Sequence, residues 1–148
     1  MTKISEGQSI LEVVFATAVI VLIIVGIVSL ASNSISDAIF SRSQTLATKY
    51  AQEAMEWLRG QKDKDWEEFF LHATYGGTLY CINSLSWGTP GRCDSDTYIE
   101  ETNLSREMTL ELVDESGSEV EAVVTVFWTN SQGTHEVKST TRFTDWRN

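Results

Sequence analysis

The sequence predicts an α+β protein in which a long N-terminal helix packs on a small antiparallel sheet of three to four strands. Three observations predict this fold. Residues 10–31 form an almost uninterrupted apolar run, and residues 32–60 continue it with helical periodicity. The last third of the chain alternates apolar and polar residues in three separate runs, as strands with one buried face do.

The apolar run consists of Val, Ile, Leu, Ala and Phe with a few small residues, and Glu12 is its only charged residue. At about 1.5 Å per residue it spans roughly 30 Å as a helix, which is the thickness of one bilayer core. A carboxylate within such a run is costly unless a cationic group pairs with it. The run therefore predicts a transmembrane helix in which Glu12 has a specific partner.

Gly7 lies directly before the apolar run, whereas the small residues of a secretory signal peptide follow it. Cleavage after Gly7 would place a new α-amine on Gln8, close to Glu12 in sequence. Within one helix that amine belongs to the first turn and points along the axis. The amine of a neighbouring subunit is therefore at least as good a partner for the Glu12 carboxylate.

The segment EGQSILEVVFATAVIVLII resembles the leader and N-terminal helix of type IV pilins and type II secretion pseudopilins. The resemblance implies that a prepilin peptidase cuts after Gly7 and that Gln8 becomes the methylated first residue. It further implies that Glu12 neutralises the N-terminus of the adjacent subunit in a filament. The fold it implies is the pilin lollipop, which crosses the inner membrane once with its N-terminus on the cytoplasmic side and its head outside.

The same resemblance implies other pilin or pseudopilin subunits, the prepilin peptidase and the pilus assembly platform as partners. A later segment, AQEAMEWLRGQKDKDW, is similar to minor pilins of the pilus-modification type. A minor subunit is therefore expected, and a major pilin is the alternative within the family.

Four segments follow from these patterns: a leader at 1–7, a transmembrane and assembly helix at 8–31, an amphipathic stalk helix at 32–60 and an extracytoplasmic α+β head at 61–148. Gly60 is expected to cap the stalk. The apolar stripe of the stalk, with residues three, four and seven apart, is predicted to comprise Ile35, Ile39, Leu46, Tyr50, Ala54 and Trp57.

Beyond the stalk, Asp65 followed three residues later by Glu68 predicts the start of a second, short helix. Its aromatic residues Trp66, Phe69 and Phe70 are expected to pack in the core, and a ligand-binding patch is the alternative. Strands are predicted at 78–82 and in the three C-terminal runs. The expected turns are 114–118 and 130–133, and Trp146 is expected to seal the end of the sheet.

Cys81 and Cys93 are the only cysteines, and an even pair in a small exported domain predicts a disulfide. A metal site that adds His72 and His135 is a weaker alternative, because the spacings typical of zinc ligands are missing. A nearby acidic cluster has two interpretations, a calcium-binding loop or a solvated acidic loop, and the solvated loop is the commoner outcome. Its members are Asp94, Asp96, Glu100 and Glu101.

The formal charge of −10 disfavours direct binding to nucleic acid. Neither a nucleophile elbow, nor a phosphate-binding glycine loop, nor a zinc-protease motif occurs, so we expect no enzyme, no cofactor and no metal. The sequence predicts a structural subunit of a type IV pilus or pseudopilus, resident in the inner membrane and then in the filament. The alternative is an uncleaved, single-pass membrane protein whose extracytoplasmic domain binds a ligand.

Overall fold

The structure is a computed structural model that describes residues 6–113 and 118–145, except for the side chains of residues 6–9. Two helices and four strands occur in the order α1 (Glu6–Lys64), α2 (Trp66–Leu71), β1 (Thr78–Cys81), β2 (Leu104–Leu112), β3 (Glu119–Asn130) and β4 (Gly133–Thr144). The predicted α+β fold, a long N-terminal helix on a small antiparallel sheet, is confirmed. The chain divides into two compact units, one ending at Ser41 and one beginning at Arg42.

The four strands of the second unit form one antiparallel sheet in the order β1-β2-β3-β4. Alternation of buried and half-buried residues is regular along β3, as the sequence pattern predicts. The inward-facing row of β3 consists of Val120, Ala122, Val124, Val126 and Trp128. The outward face keeps Val123 and Phe127 half-buried, so the sheet has apolar residues on both faces.

A long loop that contains Cys93 connects β1 to β2, whereas a tight turn connects β3 to β4. Strands β3 and β4 meet at Asn130 and Gly133, where the Asn130 side chain accepts a hydrogen bond from the Gln132 amide at 2.8 Å. Before β1, Gly77 has φ +79°, and a Cβ at this position would lie 2.7 Å from Cγ2 of Thr109. This turn therefore needs glycine. The predicted turn at 114–118 falls mostly outside the described residues, and Trp146 lies outside them entirely.

The part of α1 within the second unit buries small residues on one side, opposite the inward row of the sheet. Ala47, Ala51 and Ala54 are at most 1% exposed, and Leu58 is fully buried. The buried row of α1 therefore differs from the predicted apolar stripe and shares only Ala54 with it. Of the stripe's members, Ala54 is buried, Leu46, Tyr50 and Trp57 are half-buried, and Ile35 and Ile39 are exposed.

Helix α1 ends at Lys64, and the prediction that Gly60 caps it is wrong. A Cβ at Gly60 would meet no neighbouring atom, so this position does not require glycine. The helix continues past it, and the Asp65 amide donates the last helical hydrogen bond to the Gln61 carbonyl at 3.1 Å. Asp65 then caps α2, as predicted, because its side chain accepts a hydrogen bond from the Glu68 amide at 3.0 Å. Phe69 of α2 is buried at 1% exposure.

Candidate assembly helix and head surfaces

In the first unit, α1 exposes apolar side chains around its whole circumference. The large aliphatic and aromatic side chains between Ile10 and Leu30 show from 40% to 74% of their surface. Among the described residues, α1 is the one helix that is long and apolar enough to cross a membrane. An apolar surface of this extent is stable only against lipid or against other apolar helices.

Glu12 lies within this apolar surface with its side chain exposed. Helix α1 begins at Glu6, so Gly7 and Gln8 belong to its first turn, although their side chains fall outside the described part of the chain. The sequence contains no Lys or Arg between Lys3 and Arg42. No side chain of that stretch can therefore supply a cation for Glu12.

Two hydroxyl groups on the same helix need no such partner. Oγ1 of Thr17 donates to the Val14 carbonyl at 2.9 Å, and Oγ of Ser32 donates to the Val28 carbonyl at 3.0 Å. Hydroxyls satisfied within their own helix are tolerated in an apolar environment. Glu12 thus differs from them, because a carboxylate there demands an external partner.

In the second unit, a buried arginine ties α1 to the sheet. Arg106 of β2 is 1% exposed, and its guanidinium donates to the carbonyl oxygens of Tyr50 at 2.8 Å, Ile82 at 2.9 Å and Asn83 at 3.3 Å. It also pairs with the Glu53 carboxylate at 3.1 Å. Burial lowers the pKa of Arg106, and Glu53 acts in the opposite direction.

The predicted disulfide is present. Cys81 and Cys93 are joined by an S–S bond of 2.06 Å, twelve residues apart in sequence. The bond closes a loop that returns to the sheet at Pro90, which forms a bridge with Tyr80. Because both sulfurs are used in this bond, the alternative metal site that needed two free thiols is excluded.

Trp87 anchors the middle of this disulfide loop on the helices. Its indole lies on the His72 imidazole, with ring centroids 3.7 Å apart and planes 5° apart. Nε1 of Trp87 donates to Oε1 of Gln61 at 3.2 Å, and the indole meets the Trp57 ring at 5.0 Å. Burial lowers the pKa of His72, and the nearby Glu68 carboxylate partly opposes this.

The acidic cluster of the head lies on exposed loop positions at 94, 96, 100 and 101. Within the described part of the chain, no group of three His, Cys, Asp or Glu residues is arranged to hold a metal ion. Glu100 and Glu101 instead line an open groove of about 720 Å³ whose other walls include Tyr50, Tyr98 and Arg106. The groove offers carboxylate and phenol groups to a ligand or a partner.

The outward face of the sheet carries a second open groove, of about 610 Å³. Its floor is apolar, with Leu79, Val123 and Phe127, and its rim is charged, with Arg92 and Lys138 among the lining residues. An apolar floor with a charged rim is the composition of many protein interfaces.

Sequence reasoning missed the two residues that organise the head, Arg106 and Trp87. A signal for Arg106 exists, since Leu104, Arg106 and Met108 alternate along β2 and therefore point to the same, inward face. Trp87 lies between the two cysteines in sequence, and no motif distinguishes it from the rest of the loop. Its partners His72 and Gln61 cannot be read from local sequence.

Comparisons of the chain with protein-family models, with curated proteins and with solved structures return no significant match.

Proposed function

We propose that this chain is a structural subunit, of the minor kind, of a type IV pilus or type II secretion pseudopilus. In this proposal a prepilin peptidase processes it between Gly7 and Gln8, and the subunit assembles through its N-terminal helix. The observation that carries the proposal is the exposed apolar surface of α1, interrupted by the single carboxylate of Glu12.

An apolar helical surface with one carboxylate is suited to two successive environments. In the membrane the surface is covered by lipid, and in a filament it is covered by the equivalent helices of other subunits. An unpaired carboxylate is expensive in either place, so pairing between Glu12 and a neighbour's N-terminal amine would favour one register of association. Association with other subunits of this kind therefore accounts for both the apolar surface of α1 and its single carboxylate.

Features of the head are consistent with a domain that folds outside the cytoplasm. Its disulfide is stable in an oxidising compartment, and its four-stranded sheet leaves apolar residues on the outward face. In the proposed subunit the head carries the surfaces that select partner subunits or external molecules. The N-terminal helix supplies the common means of assembly.

The test is the intact mass and the N-terminal peptide of the protein recovered from its native cell envelope. We expect a chain that begins at Gln8 with a methylated amine. A chain that still begins at Met1 in a cell with an active prepilin peptidase would contradict the proposal.

The second candidate is an uncleaved, membrane-anchored protein whose head binds a ligand. The groove beside Tyr50 and Tyr98, with its volume of about 720 Å³, is the observation that favours it. The same measurement distinguishes the two candidates, because only the second retains residues 1–7. The second also gives Glu12 no role in association.

A further inference from the structure

A modification motif lies at the start of β2, where Asn103-Leu104-Ser105 matches the acceptor sequence for N-linked glycosylation. The chain contains five asparagines, and Asn103 is the only one with Ser or Thr two positions later. Short motifs of this kind also occur by chance, so the surroundings of the asparagine decide whether the motif is usable.

Asn103 lies in a turn outside the sheet with its side chain exposed. The Ile99 amide donates to the Leu104 carbonyl at 2.8 Å, and Oγ1 of Thr102 donates to the Ile99 carbonyl at 2.8 Å, which together close the turn. The Asn103 carboxamide makes no hydrogen bond with any residue that the structure describes. Its nitrogen is therefore accessible and could carry a substituent without loss of an internal contact.

A depression of about 280 Å³ lies beside Asn103, and its lining combines the aromatic residues Tyr98 and Phe127 with polar residues such as Asp94 and Thr129. Tyr98 is half exposed and offers its ring at the surface. The volume is just below the range of about 300–1,000 Å³ for pockets that hold drug-sized ligands, so it suits one sugar ring. Aromatic rings provide the flat apolar platform on which the C–H groups of a sugar can pack.

We infer that Asn103 is the attachment site of an N-linked glycan whose first sugar packs in this aromatic depression. The donor class is an oligosaccharide on a lipid diphosphate, and an oligosaccharyltransferase catalyses the transfer. A bond forms between Nδ2 of Asn103 and the anomeric carbon, while the bond from that carbon to the diphosphate oxygen breaks. The lipid diphosphate leaves with the electron pair, and the amide gives up one proton to a base of the transferase.

The inference rests on the proposed function in one respect, the export of the head to the compartment where such transferases work. The burial of Leu104 and Ser105 also determines whether glycan transfer comes before or after folding. Ser105 is 4% exposed, and its Oγ donates to the Thr97 carbonyl at 2.7 Å, while Leu104 is 1% exposed. A transferase that reads the serine hydroxyl cannot reach it in the folded head. Transfer must therefore precede the folding of residues 97–105.

The test uses the full chain from its native envelope, digested with trypsin after reduction. Cleavage after Arg92 and Arg106 yields a peptide from Cys93 to Arg106 whose only asparagine is Asn103. We expect this peptide to carry an oligosaccharide mass. Enzymatic removal of the glycan in heavy-oxygen water should convert Asn103 to Asp with one heavy oxygen. Recovery of the unmodified peptide alone would overturn the inference.

Variants separate the motif from the fold. Asn103→Gln should abolish the modification, and Asn130→Gln, at another turn but outside any acceptor motif, should leave it intact. Ser105→Thr keeps the hydroxyl and should remain modified, whereas Ser105→Ala should not. Modification of Ser105→Ala, or persistence of the glycan in Asn103→Gln, would contradict the assignment.

The order of events has its own test with purified full chain, a lipid-diphosphate oligosaccharide and an oligosaccharyltransferase. The reduced, unfolded chain should accept the glycan faster than the folded, disulfide-bonded chain, on the order of tenfold or more, because the folded chain must first open locally. Equal rates would contradict transfer before folding.

The N-terminal peptide in the same digest keeps this inference apart from the proposed function. A chain that begins at Gln8 with an unmodified Asn103 would reject the glycan and retain the processed subunit. A chain that begins at Met1 with a glycan on Asn103 would reject the processing and retain the glycan.

Discussion

Arg106 is the residue that joins the helical and sheet parts of the head most directly. A fully buried guanidinium is costly to desolvate, and the cost is offset only when its donors are satisfied. Here three carbonyl oxygens and the Glu53 carboxylate accept hydrogen bonds from it. These acceptors belong to α1 and to the segment after β1. One side chain therefore fixes three segments relative to one another.

We expect Arg106→Met to lower the free energy of unfolding by about 3 kcal/mol, because buried carbonyls lose their donors while the apolar replacement retains part of the volume. The measurement is the urea unfolding of the full chain in detergent, followed by near-ultraviolet circular dichroism. Arg142→Met is the matched control, since Arg142 is exposed and its pairs with Glu119 and Glu121 lie at the surface. Equal stability of the wild type and Arg106→Met would show that the network contributes nothing.

His72 gives the head a pH dependence whose sign follows from its burial. Its folded pKa lies below the ordinary value, chiefly through desolvation, so the unfolded chain binds the proton more readily. The contribution of His72 to stability is therefore fully present above about pH 6.5, the unfolded pKa. It is lost as the pH falls through that value toward the folded pKa.

The variant His72→Phe keeps a flat ring over Trp87 but cannot titrate. Its free energy of unfolding should therefore lack the part of the pH dependence that His72 contributes. Unfolding of both proteins between pH 5 and 8 checks it, because the two proteins share their other titratable groups. A slope of equal size in the variant would assign the pH dependence to other groups.

At the scale of elements, the disulfide loop is held at its ends by a covalent bond and at its middle by Trp87. We expect the paired change Cys81→Ser and Cys93→Ser to cost about 3 kcal/mol by the loop-entropy estimate. Trp87→Ala should cost about 2 kcal/mol, less than a fully buried tryptophan, because the indole is half-buried. Both changes release the same loop.

The combined variant should therefore lose less than the sum of the separate losses, by about 0.5 kcal/mol or more. Denaturant unfolding of the three variants and the wild type gives this double-mutant cycle. Strict additivity would show that the bond and the indole act independently.

The predicted elements are those whose signals are local. Strand alternation, the Asp65 cap of α2 and the pair of cysteines each depend on residues close together in sequence, and the structure contains all three. The prediction that α1 ends at Gly60 was wrong, because the helix continues to Lys64. Glycine is only a weak helix breaker when the chain on either side of it is helical.

The missed features depend on contacts distant in sequence. Arg106 meets Tyr50 across 56 residues, and Trp87 meets Gln61 across 26. The alternation along β2 could have indicated that Arg106 points inward. It could not have shown which acceptors make that burial tolerable, because they lie on other elements.

At the scale of the whole molecule, the chain combines an apolar helical surface with an acidic head, for a formal charge of −10. After loss of residues 1–7 the charge would be unchanged, since they contain one Lys and one Glu. Heads with the same negative charge repel one another at low ionic strength. Self-association through heads alone is therefore disfavoured, and the N-terminal helix is the better candidate for the assembling element.

Glu12→Ala tests that role directly. A helix without this carboxylate is more apolar, so membrane insertion and the proposed cleavage after Gly7 should proceed as in the wild type. Incorporation into filaments should fall by about a hundredfold or more, because the N-terminal amine of a neighbour would be buried without its counter-charge at a cost of about 3–5 kcal/mol. Quantitative immunoblots of sheared filaments against envelope fractions measure the ratio.

Thr17→Val is the matched control, because it also removes a polar group from the apolar surface. The Thr17 hydroxyl is already satisfied by the Val14 carbonyl of its own helix, so this variant should incorporate normally. Equal loss in both variants would point to a general effect of helix polarity on assembly. Normal incorporation of Glu12→Ala would remove the charge pair from the proposal, since association would then depend on the apolar surface alone.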